Sequence, residues 1–525
     1  MMLSCFLCLF LLLALAKIFD KLWWIPTRIQ HLMASQGIKG PSYRFIHGST
    51  EEITTLKREA MSSPMGLSHA IFPRIQPHIH SWVNAYGKNY LQWHGLEAEF
   101  VITEPENRAY PKAEKKGYMK KLLEDGLVTT EGEKGTKLRK LANYAFHAKS
   151  LRVMISEIVS SVEMVLERWK HHEGKEVEVF EQFRLLTSEI ISRTAFGSSY
   201  GEGSKIFDML RRLILLASRN SYTSIDFLAS GNKPLYLKKQ LSLTIQFFCS
   251  KILKNKDETE AEMLEKEIHK WIKELIKNRE EKVMNDIGEE KGNKFGSDFL
   301  GVLIKARHEP NDKQRISLDD LVDEYKTFYV VGQETTNSLL AWTVFLLALH
   351  TDWQVETRKE VLNLFGQEKP NPDGISKLKT MSTVINESLR LYPSVIGIIR
   401  KVDREVGLGN LILPPNLHFY ISNLALHHDP QIWGEDVHQF KPERFSQGIA
   451  KAANDSSGAS FFPFGIGPRT CVGMNLALTQ AKIALSMILQ RYAFTLSTAY
   501  VHAPFQLSTL HAQHGVQVML QPLSE

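Results

Sequence analysis

The 525-residue chain has only four cysteines, Cys5, Cys8, Cys249 and Cys471, and two of these lie in an apolar N-terminus. So few thiols in the body exclude a disulfide framework and point to a reducing compartment. The sequence has no convincing Gly-x-Gly-x-x-Gly fingerprint. Gly201-Glu202-Gly203-Ser204-Lys205 is too short for a phosphate loop and reads as a polar turn. Any electrons the protein uses must therefore come from elsewhere. It also lacks an arginine-rich arm, zinc-finger spacing and a basic-aromatic stripe. The net charge of +6 thus suits a docking face or anionic lipid and no nucleic acid. No internal repeat or interdomain linker is visible, and 43% hydrophobic with 23% charged residues is the composition of a globular protein.

What is present begins with an uncharged apolar run, Met2 to Ala16, followed by Lys17, Asp20, Lys21 and the pair Trp23-Trp24. Two readings stand side by side. Ala14-Leu15-Ala16 resembles a signal-peptide cleavage site. The basic residues Lys17, Lys21 and Arg28, however, follow the run instead of preceding it, which favours a retained anchor with its downstream side in the cytosol. As a helix, Met2 to Ile25 spans about 36 Å, enough to cross a bilayer.

The body reads as mainly α with minor β. Ser317 to about His350 predicts one buried helix near 50 Å long, N-capped by Ser317 with Asp319 and Asp320 in its first turn. Asp323, Glu324, Lys326 and Glu334 interrupt its apolar run and argue against a membrane span. Lys251 to Lys294, rich in Lys and Glu, predicts a solvated helix and loop. Short strands are expected at Tyr90–Trp93, Leu411–Leu413 and Val516–Leu520. Of two glycosylation sequons, Asn386-Glu387-Ser388 falls on a helix expected to be buried; the other is Asn454-Asp455-Ser456.

The most specific stretch is Phe461 to Gly473, a Gly- and Pro-rich turn ending at a lone cysteine just before a helix that runs from Met474 to about Arg491. Helix N-termini favour thiolates. Phe464, Gly467, Arg469, Cys471 and Gly473 match every fixed position of Phe-x-x-Gly-x-Arg-x-Cys-x-Gly, and the stretch resembles the haem-binding loop of the cytochrome P450 family. Three further elements occur in the family's order: Val331-Gly332-Gln333-Glu334-Thr335-Thr336 on the long helix, Glu387 and Arg390 one helical turn apart, and Arg444 in Pro442-Glu443-Arg444-Phe445.

The resemblance implies a cytochrome P450 fold, with residues 1–25 as a membrane anchor and 26–525 as a single catalytic domain. It implies haem b (iron protoporphyrin IX), with Cys471 as the axial iron ligand, Phe464 packed near the sulfur, and Arg469, Arg139 and Arg400 as candidates for the propionates. Glu334 and Thr335 are the expected proton relay. Glu387, Arg390 and Arg444 are expected to form a charge network that braces the loop. Details such as Gln36–Pro41, Arg193–Gly197 and Tyr500–Pro504 resemble a plant clan of the family that modifies brassinosteroids, gibberellins and cytokinins or oxidises terpenoids.

On this footing the expected activity is hydroxylation of a hydrophobic small molecule, with O2 and electrons from an NADPH-dependent flavoprotein reductase. Lys137, Arg139, Lys140 and Lys441 are the expected docking surface. The expected location is the endoplasmic reticulum membrane, single-pass, with the catalytic domain facing the cytosol. A hydroperoxide-rearranging haem-thiolate enzyme and a non-catalytic haem- or steroid-binding membrane protein are the alternatives. Candidate pocket walls are the loop before Thr129, Arg212–Leu228, Phe328, Ser394–Ile399 and Ala503–Phe505. One departure stands out: the family pattern has Trp four residues before Arg139, and this chain has Gly135, which removes an indole donor and weakens the helix.

Overall fold

A computed structural model describes residues 2–103, 117–229, 256–285, 295–296, 298–311, 314–453 and 460–523. Cys249 and the sequon at Asn454 lie outside them. Helices dominate and the sheets are small, as the sequence predicts. The largest sheet has four strands, in the order Asn89–His94, Glu97–Ile102, His418–Ile421, Ile398–Lys401. Its second pair is parallel and the others antiparallel. Glu176–Glu178, Gln517–Pro522 and Tyr492–Leu496 make a second, antiparallel sheet. Pro504–Gln506 and Leu510–Ala512 form a separate C-terminal hairpin.

The long helix, Leu318–Leu349, runs through the main core and packs along the helix Val179–Phe196. Ser317 caps it through a reciprocal box with Asp320. The charges that argued against a membrane span are bonded inside the protein. Lys326, fully buried, pairs with Glu124 and donates to the Lys121 carbonyl at 2.8 Å. His269 sits 2.8 Å from the same Glu124 carboxylate, and Glu324 accepts the Leu127 N–H. Burial, reinforced by Glu124, pushes the Asp323 carboxyl up to about 8. Together these bonds tie the segment before Thr129 to the long helix.

The helix Lys256–Asn285 lies within the segment read as a solvated helix and loop, and one of its faces is packed. Its Ala261, Ile268, Ile272 and Ile276 are buried in the main core, so its charged residues form only the outer face. The Asn386 sequon lies on the helix Lys379–Leu391, and its Ser388 is buried and bonded to the Val384 carbonyl.

At the N-terminus an α-helix, Met2–Phe19, passes through a π-helical turn, Asp20–Trp24, into Ile25–Ser35. Phe6, Phe10, Leu12 and Phe19 along it are exposed. No helix among the described residues is long and apolar enough to cross a membrane. The 18 residues of Met2–Phe19 span about 27 Å, short of a ~30 Å hydrocarbon core. Trp23 packs against Phe45 and Tyr43, with ring centroids 6.2 and 6.3 Å apart, so this end of the segment is docked on the body.

Candidate active site

The turn before Cys471 is built by two glycines in the left-handed region, Gly465 and Gly467, each at φ +74°, a conformation glycine adopts without strain. It brings the Cys471 N–H to the Phe464 carbonyl at 2.8 Å. Gly473 then N-caps the helix Met474–Arg491. Cys471 opens into a cavity of roughly 330 Å³, within the usual range for small-molecule sites. Burial pushes its thiol up, while the Gly473 and Met474 backbone amides and Arg139 pull it down. Burial prevails, and the net direction is upward. A metal ion held there would tip that balance, because a coordinating thiol is deprotonated outright.

The same cavity is lined by Phe464, Arg469 and Gly473 of the loop, by Gly332 and Thr335 of the long helix, and by Arg139 and Arg400. Three guanidinium groups therefore meet at one largely apolar space. Arg139 donates to the Thr470 carbonyl at 2.5 Å, and Arg469 lies 3.6 Å from Glu131. Burial, and then the neighbouring Arg469 charge, lowers the Arg400 pKa, while Glu131 opposes them. A thiol, an apolar interior and clustered cations fit haem b, which is flat, apolar and carries two carboxylates.

Thr335 Oγ1 donates to the Val331 carbonyl at 2.7 Å. Glu334 does not line the cavity; it turns to the C-terminal hairpin, where its Oε2 lies 2.9 Å from His511 Nε2. The two relay candidates are thus adjacent in sequence but face different surroundings.

Glu387, Arg390 and Arg444 lie together. Arg390 holds Glu387 through two bonds of 2.7 Å, and both side chains are fully buried. Arg444 Nε is 3.6 Å from Glu387 and its Nη2 is 2.5 Å from Asp436. Asp436 was not visible as a member from sequence. Burial pushes the Glu387 carboxyl up despite Arg390 and Arg444.

Gly135 has a steric reason. A Cβ built there meets the Thr130 carbonyl oxygen at 2.7 Å, so the chain before the helix Gly132–Ala145 occupies the space a side chain needs. Gly135→Trp is expected to destabilise the protein by about 1–3 kcal/mol through overpacking, read as a lower unfolding midpoint in denaturant. An unchanged midpoint defeats this explanation.

Of the expected walls, Leu127, Val128, Phe328, Ser394, Val395 and Ile398 line the cavity. Ala503–Phe505 do not, and Phe505 instead lies beside His511, with ring centroids 5.9 Å apart. Arg212 pairs with Glu260 at 2.6 Å, and the side chains of 219–229 lie outside those described. Phe146, Ile191 and Gln480 also line the cavity and carried no sequence signal. Among the residues expected to dock a reductase, Lys137 donates to the Arg315 carbonyl and Lys441 pairs with Asp436. With Arg139 facing the cavity, Lys140 remains the exposed member.

Comparison with known proteins gives a consistent result. Residues 86–515 match the family described as Cytochrome P450. Cytochrome P450 CYP749A22 of Panax ginseng is 52% identical, over 98% of this chain and 96% of its own length. Echinocystic acid 23-monooxygenase of Saponaria officinalis is 36% identical, over 95% of each chain. 7-deoxyloganic acid hydroxylase of Catharanthus roseus is 36% identical, over 97% of this chain and 96% of its own.

Proposed function

The chain belongs to the cytochrome P450 family, and from that premise we propose that it hydroxylates a terpenoid- or hormone-like skeleton with electrons passed from NADPH by a flavoprotein reductase. It is a haem-thiolate monooxygenase acting on hydrophobic small molecules. The observation that carries the finer reading is the largely apolar cavity shared by Cys471 and Thr335. Relatives named for echinocystic acid and 7-deoxyloganic acid support a substrate of that kind.

When bound, haem supplies oxygen activation, placing one oxygen atom in the product and the other in water. Cys471 would hold its iron through the sulfur, with Phe464 and Gly473 shaping the space around that atom. Arg139, Arg400 and Arg469 would hold its carboxylates by charge-assisted bonds. Thr335 keeps its hydroxyl proton on the Val331 carbonyl at rest and presents it to the cavity by turning about χ1, for which a helical threonine has two wells. Glu334 brings protons to that position. Glu387, Arg390 and Arg444 act structurally, holding the framework behind the loop.

The apolar helix Met2–Phe19 and the segment after it anchor the chain in the endoplasmic reticulum membrane, with Lys17 and Lys21 on the cytosolic side. Residues 26–525 then form the catalytic domain in the cytosol, with Lys140 on its reductase-facing surface. The test supplies the full chain with reductase, NADPH, isotope-labelled O2 and a panel of terpenoid acids. One labelled oxygen atom per product, with none formed when reductase is omitted, is the expected result. Rearrangement of a hydroperoxide, with no labelled product from any member of the panel when reductase, NADPH and O2 are all present, overturns it.

A further inference from the structure

Glu334 is buried, but its carboxylate looks away from the cavity that Gly332 and Thr335 line. It accepts from Ser508 Oγ at 3.1 Å and from His511 Nε2 at 2.9 Å. Burial pushes its carboxyl up, but these bonds and the His511 charge outweigh that and hold it below the usual range. The hairpin carrying His511 is fastened to the same stretch of the long helix. Ser338 Oγ and Trp342 Nε1 both donate to the Leu510 carbonyl, at 2.7 and 3.1 Å. Leu510 N donates to the Ser394 carbonyl at 3.2 Å, and the Ser394 hydroxyl donates to the Thr335 carbonyl at 2.9 Å. The place of His511 beside the acid is thus built by bonds to Ser338 and Trp342 and, through Ser394, to Thr335, all on the C-terminal side of Glu334.

Two further observations give this contact a direction. Gln333 Nε2, both polar atoms of the Asn337 side chain and Thr509 Oγ1 are buried and find no partner among the described residues. In sequence they neighbour Glu334 on the helix and His511 on the hairpin, and orphaned buried polar atoms are where ordered water belongs. On its other side the His511 ring meets Phe180, with centroids 4.8 Å apart. The next residue, Glu181, is half-exposed and bonded to Arg184. The charged groups around the contact are therefore Glu334 itself, with Arg184 and Glu181 from the helix Val179–Phe196 within electrostatic reach of it.

We propose that His511 is the positioning residue through which Glu334 is loaded with protons, so that the C-terminal hairpin forms the solvent end of the relay. The inference rests on the Glu334–Thr335 relay proposed above. The imidazolium of His511 gives its Nε2 proton to Glu334 Oε2, breaking the N–H bond and forming an O–H bond. Both partners are then neutral, the charge-assisted attraction between them is gone, and the acid is free to turn toward Thr335. The ring takes its next proton from solvent.

The test uses the full chain with reductase and compares wild type, His511→Gln and Glu334→Gln. Glutamine at 511 keeps a donor but cannot ionise. The infrared band of the Glu334 carboxyl, assigned by its absence in Glu334→Gln, is followed against pH in the resting protein. In His511→Gln its midpoint is expected to rise by about one pH unit or more. Turnover is expected to fall by about tenfold or more, and the pH profile is expected to lose the limb of an imidazole. If Glu334→Gln turns over like wild type, the relay itself is absent. If Glu334→Gln is slow while His511→Gln keeps the wild-type midpoint and pH profile, the relay stands and the role of His511 is overturned, whatever its rate.

Discussion

In Cys471→Ala, the strongly red-shifted Soret band that a reduced, carbon-monoxide-treated haem-thiolate protein gives is expected to disappear entirely, and monooxygenase turnover with it. The reason is ligand chemistry: a cysteine thiolate is what pushes electron density onto the iron and favours O–O cleavage, and alanine offers no donor atom. The surrounding fold has little cause to change. The Cys471 thiol opens into the cavity, and the loop is held by backbone features that alanine preserves, the Cys471 N–H bond to Phe464 and the two left-handed glycines. Unfolding of the haem-free variant should therefore match that of haem-free wild type to within about 0.5 kcal/mol, as for substitutions outside packed features. This separation makes the prediction sharp. A red-shifted band that survives in Cys471→Ala places the ligand elsewhere, and a large loss of stability in the haem-free variant shows that the side chain holds the loop itself.

What the sequence made legible was local. The spacing from Phe464 to Gly473 fits one turn, and Ser317 with Asp320 fits one helix start, so both can be read without knowing what lies opposite. The pairing of Glu387 with Arg390 is equally local, three residues apart on one helix. Contacts between distant parts of the chain were hidden. Helical periodicity puts Glu334 beside Thr335 but does not say that a hairpin 177 residues later takes up its carboxylate. Gly135 looked like a lost donor because the close approach of the Thr130 carbonyl leaves no mark on composition. Phe146, Ile191 and Gln480 read as ordinary helix residues until the elements carrying them converge on the cavity. Sequence likewise does not reveal that Lys137 and Lys441 already hold partners within the chain.

Removing one member of the buried charge network is the second change with a large expected effect. In Arg390→Ala, Glu387 loses both 2.7 Å bonds and stays fully buried, with the Lys441 N–H at 3.0 Å and Arg444 Nε at 3.6 Å as its remaining partners. The carbonyls of His427 and Gln439 lose their donor as well. Breaking a buried pair on one side costs about 3–5 kcal/mol, and the unfolding free energy of the full chain should fall by that amount. Arg390→Lys tests whether charge alone suffices. Lysine keeps the cation but is a point donor that cannot reproduce the planar fork, so it should recover only part of the loss. Haem content should follow stability in both variants, since the network lies between the helix Lys379–Leu391 and the segment Pro442–Phe445 and does not line the cavity. An Arg390→Ala protein within about 1 kcal/mol of wild type, well under the usual cost of such a break, would mean that water or a neighbouring cation takes over the site. Full recovery by lysine would mean that the two-pronged geometry is incidental and charge neutralisation is all the fold requires.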